Sequence, residues 1–359
     1  MNEYITNRQI AFIIFAHIVG YGVMSLPKDI GQNIGTEGWI PLLVSTIVYT
    51  IFANIIVYLG YIYKNKTLFD YSQLLIGKFI TIPYIIHFFI SSAMVTRIFC
   101  ETVKLTILLK TSIWQLSLLF HFVIFYIVIK KLKALAMICE LYGMFIIVIT
   151  LFLYFLISTQ GEFVNIKPFF TGKNISTYLQ ASYQTIFSFL GIGILTVIPI
   201  HKKNNKNVFK YTICMMTFIG LFYIVLQEAC LSVMGIDDIV HYKDTLLAAV
   251  RRIDIPYFSF LKRLDGILLI TWIMSVFTTN TTGLYAVTFF TSKWFKNIHY
   301  IIVCGVVILL SFVVSIIPTT IEQAEEILKF MTYVGIVLET IIPIILLVIT
   351  KVKKYDKAF

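Results

Sequence analysis

The stretch HIVGYGVMSLP, residues 17–27, lies inside the first apolar run of the chain, yet it sets two glycines around a tyrosine and ends in proline. Glycine and proline in a helix that must cross lipid free backbone N–H and C=O groups where no water can meet them. Such a break survives only where the freed groups line a cavity or meet a ligand.

The rest of the chain shows that lipid is its solvent. Of 359 residues, 59 % are hydrophobic and 13 % charged, and the mean hydropathy is +0.89, which excludes an ordinary soluble globule. Apolar runs recur at residues 8–30, 38–63, 80–109, 113–130, 133–157, 178–200, 209–234, 257–292, 298–317 and 324–350. They predict an all-α membrane protein of ten transmembrane helices, one integral domain throughout (1–359). Thr6-Asn7-Arg8-Gln9 reads as a capping box opening the first helix, with no cleavage site behind it. Residues 67–79 and 240–253 carry apolar side chains at helical spacing against a polar face and predict short connecting helices at the two membrane surfaces.

Charge sets the orientation. With the amino terminus inside, most of the 29 Lys and Arg fall on the cytoplasmic side, while Glu162, Asp237, Asp238, Asp244, Glu322, Glu325 and Glu326 fall outside. Both termini are then cytoplasmic, and the net charge of +11 reflects topology. It does not mark a nucleic-acid surface, for which a basic face with aromatic platforms on a soluble domain is missing.

Catalytic and metal chemistry find little footing. Cys100, Cys139, Cys214, Cys230 and Cys304 lie in apolar runs without a C-x-x-C pair, and His17, His87 and His121 lack the i, i+4 partner of a metal site. There is no Gly-rich phosphate loop and no nucleophile elbow, so the sequence reads as neither enzyme nor cofactor protein.

The opening stretch has a counterpart in SFLGIGILTVIP, residues 188–199, again G-x-G followed by proline. Gly20 and Gly191 stand 171 positions apart, half of the 343 residues from 8 to 350. Matching breaks in two halves mark an internal repeat, and five helices per half make it inverted. The halves are 1–157 and 178–350, with 158–177 and 235–256 as extracytoplasmic connections. At the breaks, amides of Tyr21, Gly22 and Val23 suit a carboxylate, helped by the positive end of a helix dipole. Carbonyls ending the first half-helix, and those near Phe189 and Leu190, suit an ammonium or metal cation. A zwitterion satisfies both, which predicts a free amino acid or a solute of similar size and charge.

Five segments carry a family resemblance: NRQIAFIIFAHIVGYGVMSLP (7–27), TRIFCETVKLTILL (96–109), ICELYGMF (138–145), FLGIGILTVIP (189–199) and, most specifically, RIDIPYFSFLKRLDGILLITWIMSVFTT (252–279). The chain resembles, end to end, the B subunit of Ger-type spore germinant receptors, within the amino acid, polyamine and organocation transporter superfamily. The superfamily implies a LeuT-like inverted five-plus-five fold with broken helices 1 and 6. The subfamily implies a germinant sensor in the spore inner membrane, working with an A-type subunit and a lipoprotein C-type subunit. The chain departs from the family pattern at Gly193, where that pattern has a glutamate, and at Leu109-Lys110-Thr111-Ser112, where it has a proline-rich turn. A pocket between helices 1, 3, 6 and 8 would take Val19, Gly20, Tyr21, Gly22 and Val23 from the first run, with Val95 and Phe99 from the third. Phe189, Leu190 and Gly191 would come from the sixth, and Trp272 and Val276 from the eighth.

Charges inside the runs survive only with a partner or a purpose, since each costs about 2.5–3.5 kcal/mol at a helix centre. Arg97, Glu101 and Lys104 share one helix face, as a salt-bridge ladder or as a coupling network. Glu140 and Glu228 have no sequence-local basic partner and must find one in space, remain protonated or face water; Glu140, in the ICELYG segment, suits a proton or cation relay. Lys262, Arg263 and Asp265 sit near an outer helix end, where long side chains reach water. In TTNTT, residues 278–282, hydroxyls either bond back one turn or hold an ion. Sodium-coupled proteins of this fold imply the latter for Thr278 and Thr279, with sodium or a proton as the coupling cation. Sensing, transport and a scaffold with a vestigial pocket all remain open, because sensing and transport use the same bistable frame.

Overall fold

A computed structural model describes residues 4–253 and 264–353 and, of Tyr21, the backbone. Lys262, Arg263 and the middle of the 252–279 segment lie outside the described residues. The described chain is helical throughout, without a β-strand.

The capping box forms as its spacing dictates: the Gln9 amide donates to Thr6 Oγ1 (3.2 Å) and the Thr6 amide to Gln9 Oε1 (3.0 Å). It opens α1 (Asn7–Ile18), whose apolar side chains are buried on nearly every side. Regular helix stops there, passes through a 3₁₀ turn at Tyr21–Val23 and resumes as α2 (Leu26–Ile34), with Pro27 in its first turn, where no intrahelical N–H is lost. Then follow α3 (Trp39–Ile62), the short α4 (Leu68–Leu75), α5 (Thr81–Thr106), α6 (Ile113–Val128) and α7 (Lys131–Thr159).

The second half begins with α8 (Ile175–Thr185). Where the sixth apolar run predicts a long span, α-helix ends at Thr185 and gives way to 3₁₀ turns at Ile186–Phe189 and Ile192–Val197. The long α9 (Val208–Ile239) turns at Gly235, which has φ +69°. The chain continues through α10 (Thr245–Arg251), α11 (Leu264–Trp294), α12 (Tyr300–Ile316), α13 (Ile321–Ile336) and α14 (Ile342–Val352), the last two joined by a π-helical turn at Val337–Ile341.

Among the described residues, six helical stretches are long and apolar enough to cross a bilayer: Trp39–Ile62, Lys78–Thr106, Lys131–Thr159, Val208–Ile239, Leu264–Trp294 and Ile321–Val352. The shorter α6 and α12 are also apolar. Together they make this an integral membrane protein. α11 is the most enclosed of the six and packs against α1, α5 and α7. The periphery turns large apolar side chains outward, Leu119 and Phe122 on α6 and Leu309 and Ile302 on α12 among them, as lipid requires. Between those two helices runs a polar seam, with His121 Nε2 3.0 Å from Ser311 Oγ and Ser117 Oγ 2.8 Å from Ser315 Oγ. α1 and the 191–197 turns therefore meet inside a wall of continuous helices.

Candidate functional site

Where α1 ends, its carbonyls lose their helical partners, and neighbouring elements replace them. Thr279 Oγ1 of α11 donates to the Ala16 carbonyl (2.7 Å), Ser275 Oγ to that of Val19, and the Tyr223 hydroxyl of α9 to that of Ile18 (3.3 Å). α10 contributes as well, its Leu246 amide donating to the Met24 carbonyl (3.2 Å). The surface segment 240–253 is thus fastened to the first break.

At the second break, Gly191 has φ +137°, a backbone state closed to most side chains. A Cβ there would also meet His17 and Ile18 of α1 at 3.0 Å. Its amide donates to both carboxylate oxygens of Glu339 (3.0 Å each), and the Gly193 amide donates to Oε1 (2.9 Å). The Cβ that Gly193 lacks would stand 2.8 Å from the same oxygen. A carboxylate therefore reaches the Gly191–Gly193 turn from the π turn before α14.

Between the two breaks lies a cavity of about 130 Å³, bordered by α1, α5, α11, α13 and residues 187–191. It is several times the share of one water in liquid. Its polar wall holds His17, His87, Ser92, Ser188, Thr279 and Asn280. His17 is fixed by a 2.6 Å hydrogen bond between its Nδ1 and Thr282 Oγ1. Asn280 is only 1 % exposed, and neither its Oδ1 nor its Nδ2 has a hydrogen-bond partner among the described residues; Ser188 Oγ and His87 Nδ1 likewise have none. Buried polar groups in native proteins are nearly always paired, so residues that border one space and carry unpaired donors and acceptors mark that space as the candidate site. Phe187, Leu328 and Thr332 border both this cavity and a vestibule of about 540 Å³. The vestibule is lined by Lys28, Asp29, Lys243, Asp244, Glu322, Glu325 and Lys329, and a Lys243–Glu325 ion pair (2.8 Å) crosses it.

The residues singled out from sequence distribute unevenly about this space. Gly22, Val95, Leu190, Gly191 and Thr279 border the cavity. Val19, Gly20, Val23 and Trp272 surround a smaller void of about 20 Å³ behind the first break. Tyr21 lies in the 3₁₀ turn, and its side chain is outside the described residues. Phe99 stacks on Phe120 at 4.5 Å, Phe189 is sealed between Tyr49 and Tyr223, and Val276 is fully buried in the core; none of the three borders the cavity.

The polar candidates divide in the same way. Thr278 Oγ1 bonds back to the Ser275 carbonyl (2.9 Å) within its own helix. Glu140 pairs with Arg8 at the start of α1, away from the cavity. Arg97 pairs with Glu101 and also donates to the Pro318 and Thr319 carbonyls (2.9 and 3.0 Å), tying α5 to the turn before α13. Asp265 meets Arg251 at 3.6 Å, while both Glu228 oxygens are buried without a partner among the described residues. Sequence reading missed Asn280 and Glu339. The first stands in the quoted TTNTT among hydroxyls that drew attention instead, and the second is the one acid in the interior of the last apolar run, beyond Glu325 and Glu326 at its start, a signal of the kind applied elsewhere in the chain.

The whole frame has a solved counterpart. A Na⁺-coupled sialic acid symporter superposes with a TM-score of 0.69 over 94 % of this chain and 78 % of its own, at 10 % identity, which establishes a shared fold. In sequence, the spore germination protein YndE of Bacillus subtilis is 25 % identical over 98 % of this chain and 97 % of its own. GerLB of Bacillus cereus is 22 % identical over 98 % and 96 %, and spore germination protein A2 of Bacillus subtilis 22 % over 95 % and 94 %. With the model of that family matching residues 4–324 as well, the chain belongs to the spore germination proteins.

Proposed function

We propose that this protein is the transporter-like, germinant-sensing subunit of a spore germinant receptor. It binds a small amino acid or similar solute between the two helix breaks and passes closure of that pocket to A-type and C-type partner subunits. The observation that carries the reading is Asn280, a buried amide with both ends free, on a residue that borders the cavity between the end of α1 and the 187–191 turn. Donors at the start of the Tyr21–Val23 turn suit a carboxylate, and the Asn280 and Ser188 oxygens suit an ammonium group. The family and the transporter fold support the same reading.

In this reading ten spans form two inverted halves, with α1 and α2 as one broken span and α8 with the 186–197 turns as the other. Both termini face the cytoplasm, and the protein resides in the spore inner membrane. The test is germination of spores carrying Asn280→Leu against a panel of amino acids. A buried polar group left without its partner weakens recognition, so half-maximal germinant concentration should rise roughly tenfold or more. An unchanged response to every compound rejects the site.

A second reading is favoured by the hydroxyls of Ser275 and Thr279, which donate to the Val19 and Ala16 carbonyls respectively. Those oxygens, with Thr278 nearby, suit a small cation, and the protein would then carry its solute with sodium or a proton. Uptake of radiolabelled amino acid into vesicles separates transport from sensing.

A further inference from the structure

Glu339 performs no part of solute binding as proposed above: it does not border the cavity, and it is 1 % exposed. It sits in the middle of the π turn, a helix irregularity frequent at functional sites. Its carboxylate accepts from the Gly191 and Gly193 amides, and among the described residues it forms no ion pair with any Lys, Arg or His. The titratable groups facing it are Tyr49 of α3 and Tyr84 of α5. Tyr84 spends its hydroxyl on the Leu338 carbonyl (2.5 Å). One turn earlier, Gly335 lets His87 approach so closely that a Cβ there would stand 2.7 Å from its Cε1. Beyond Gly191 lies His17, at the end of α1.

A lone acid in the middle of a membrane protein has two stable conditions. Ionised, it needs donors aimed at it; protonated, it needs few. Here the donors belong to the one turn that bridges both breaks, because Gly191 touches His17 and Ile18 on one side and Glu339 on the other. Protonation removes the charge that makes these hydrogen bonds strong and converts one acceptor oxygen to a donor, which faces amides that cannot accept.

We propose that Glu339 is a proton-binding site that latches the second break: ionised, it pins residues 191–193 to the last helix, and on taking up a proton it releases them toward the cavity. The ligand is a proton, and the moving part is the turn that carries Ser188, Leu190 and Gly191. The inference does not require any particular solute.

The test reads the turn itself. Ser188→Cys is placed in a chain whose exposed Cys214 is changed to serine, and its alkylation by a membrane-permeant maleimide is followed in membranes from pH 5 to pH 8. Ser176→Cys, on the exposed start of α8, corrects for the chemistry of the thiol. The corrected rate should rise roughly ten- to a hundredfold as the pH falls, the range expected for losing charge-assisted hydrogen bonds. In Glu339→Gln it should be high and flat. A corrected wild-type rate independent of pH overturns the proposal even if Glu339→Gln fails to accumulate, and so does a Glu339→Gln curve that follows the wild type.

Discussion

A Cβ on Gly20 would stand 2.1 Å from Thr279 Oγ1 and 2.9 Å from Thr279 Cβ, so the first break and α11 are in contact at a position that admits no side chain. The same hydroxyl satisfies the Ala16 carbonyl. Gly20→Ala should therefore cost about 1–3 kcal/mol through overpacking, seen as a lower unfolding midpoint in detergent. Adding Thr279→Ala should recover part of the loss, since residues in contact couple. A Gly20→Ala protein as stable as the parent would show that the two helices do not approach as described.

Arg97 separates a structural role from a coupling role. Its guanidinium reaches Glu101 and two carbonyls on the far side of a helix connection, a fork that a lysine cannot reproduce. Arg97→Lys should lose about 1–3 kcal/mol of stability and leave the half-maximal germinant concentration where it was. Normal stability with a shifted response would assign Arg97 to signal transfer instead.

α4 offers a pH-dependent contact outside the membrane-spanning segments. Partial burial opposes the charge of Asp70, but the Thr67 amide and hydroxyl (3.1 and 2.9 Å) and the Lys293 ammonium (3.1 Å) outweigh it and hold the carboxyl below its usual range. The folded carboxyl thus binds a proton less readily than the unfolded one. Its stabilisation is complete above the ordinary aspartate range and is lost as pH falls through the lower, folded value. Asp70→Asn should lower the unfolding midpoint at pH 7 and make little difference near pH 3. An equal deficit at both pH values would contradict this linkage.

How far these contacts are legible in the sequence depends on how local their cause is. Gly20, Pro27 and Gly191 act on their own backbone, so the two interruptions stand out against apolar runs, as does the capping box at Thr6 and Gln9. In the sixth run the interruption expected at Gly191 is present, with φ +137°, but the apolar composition hides how early α-helix stops, at Thr185. Glu339 and Gly193 are separated by 146 positions, and no periodicity links them. Phe99 and Phe189 are held in the core by ring packing, Phe99 on Phe120 and Phe189 between Tyr49 and Tyr223, and Val276 is buried there as well, an orientation that sequence spacing does not determine.

Gly22 tests the cavity with the least disturbance to the fold. Unlike Gly20, it has room: the nearest atom to a Cβ there is Phe187 Cζ at 3.9 Å, an ordinary contact. Gly22→Ala should leave the unfolding midpoint within about 0.5 kcal/mol of the parent, as expected for a substitution that creates no clash. It adds its methyl to the wall of a cavity of only about 130 Å³, beside the phenylalanine shared with the vestibule. Larger amino acids should lose potency first and the smallest least, because one methylene in a tight pocket discriminates by roughly 1–3 kcal/mol. The comparison is a germination dose response to amino acids graded by size, in spores of the parent and of Gly22→Ala. Equal curves for every compound would place recognition elsewhere, whereas uniform loss across all sizes would indicate a general defect of the protein rather than a smaller pocket.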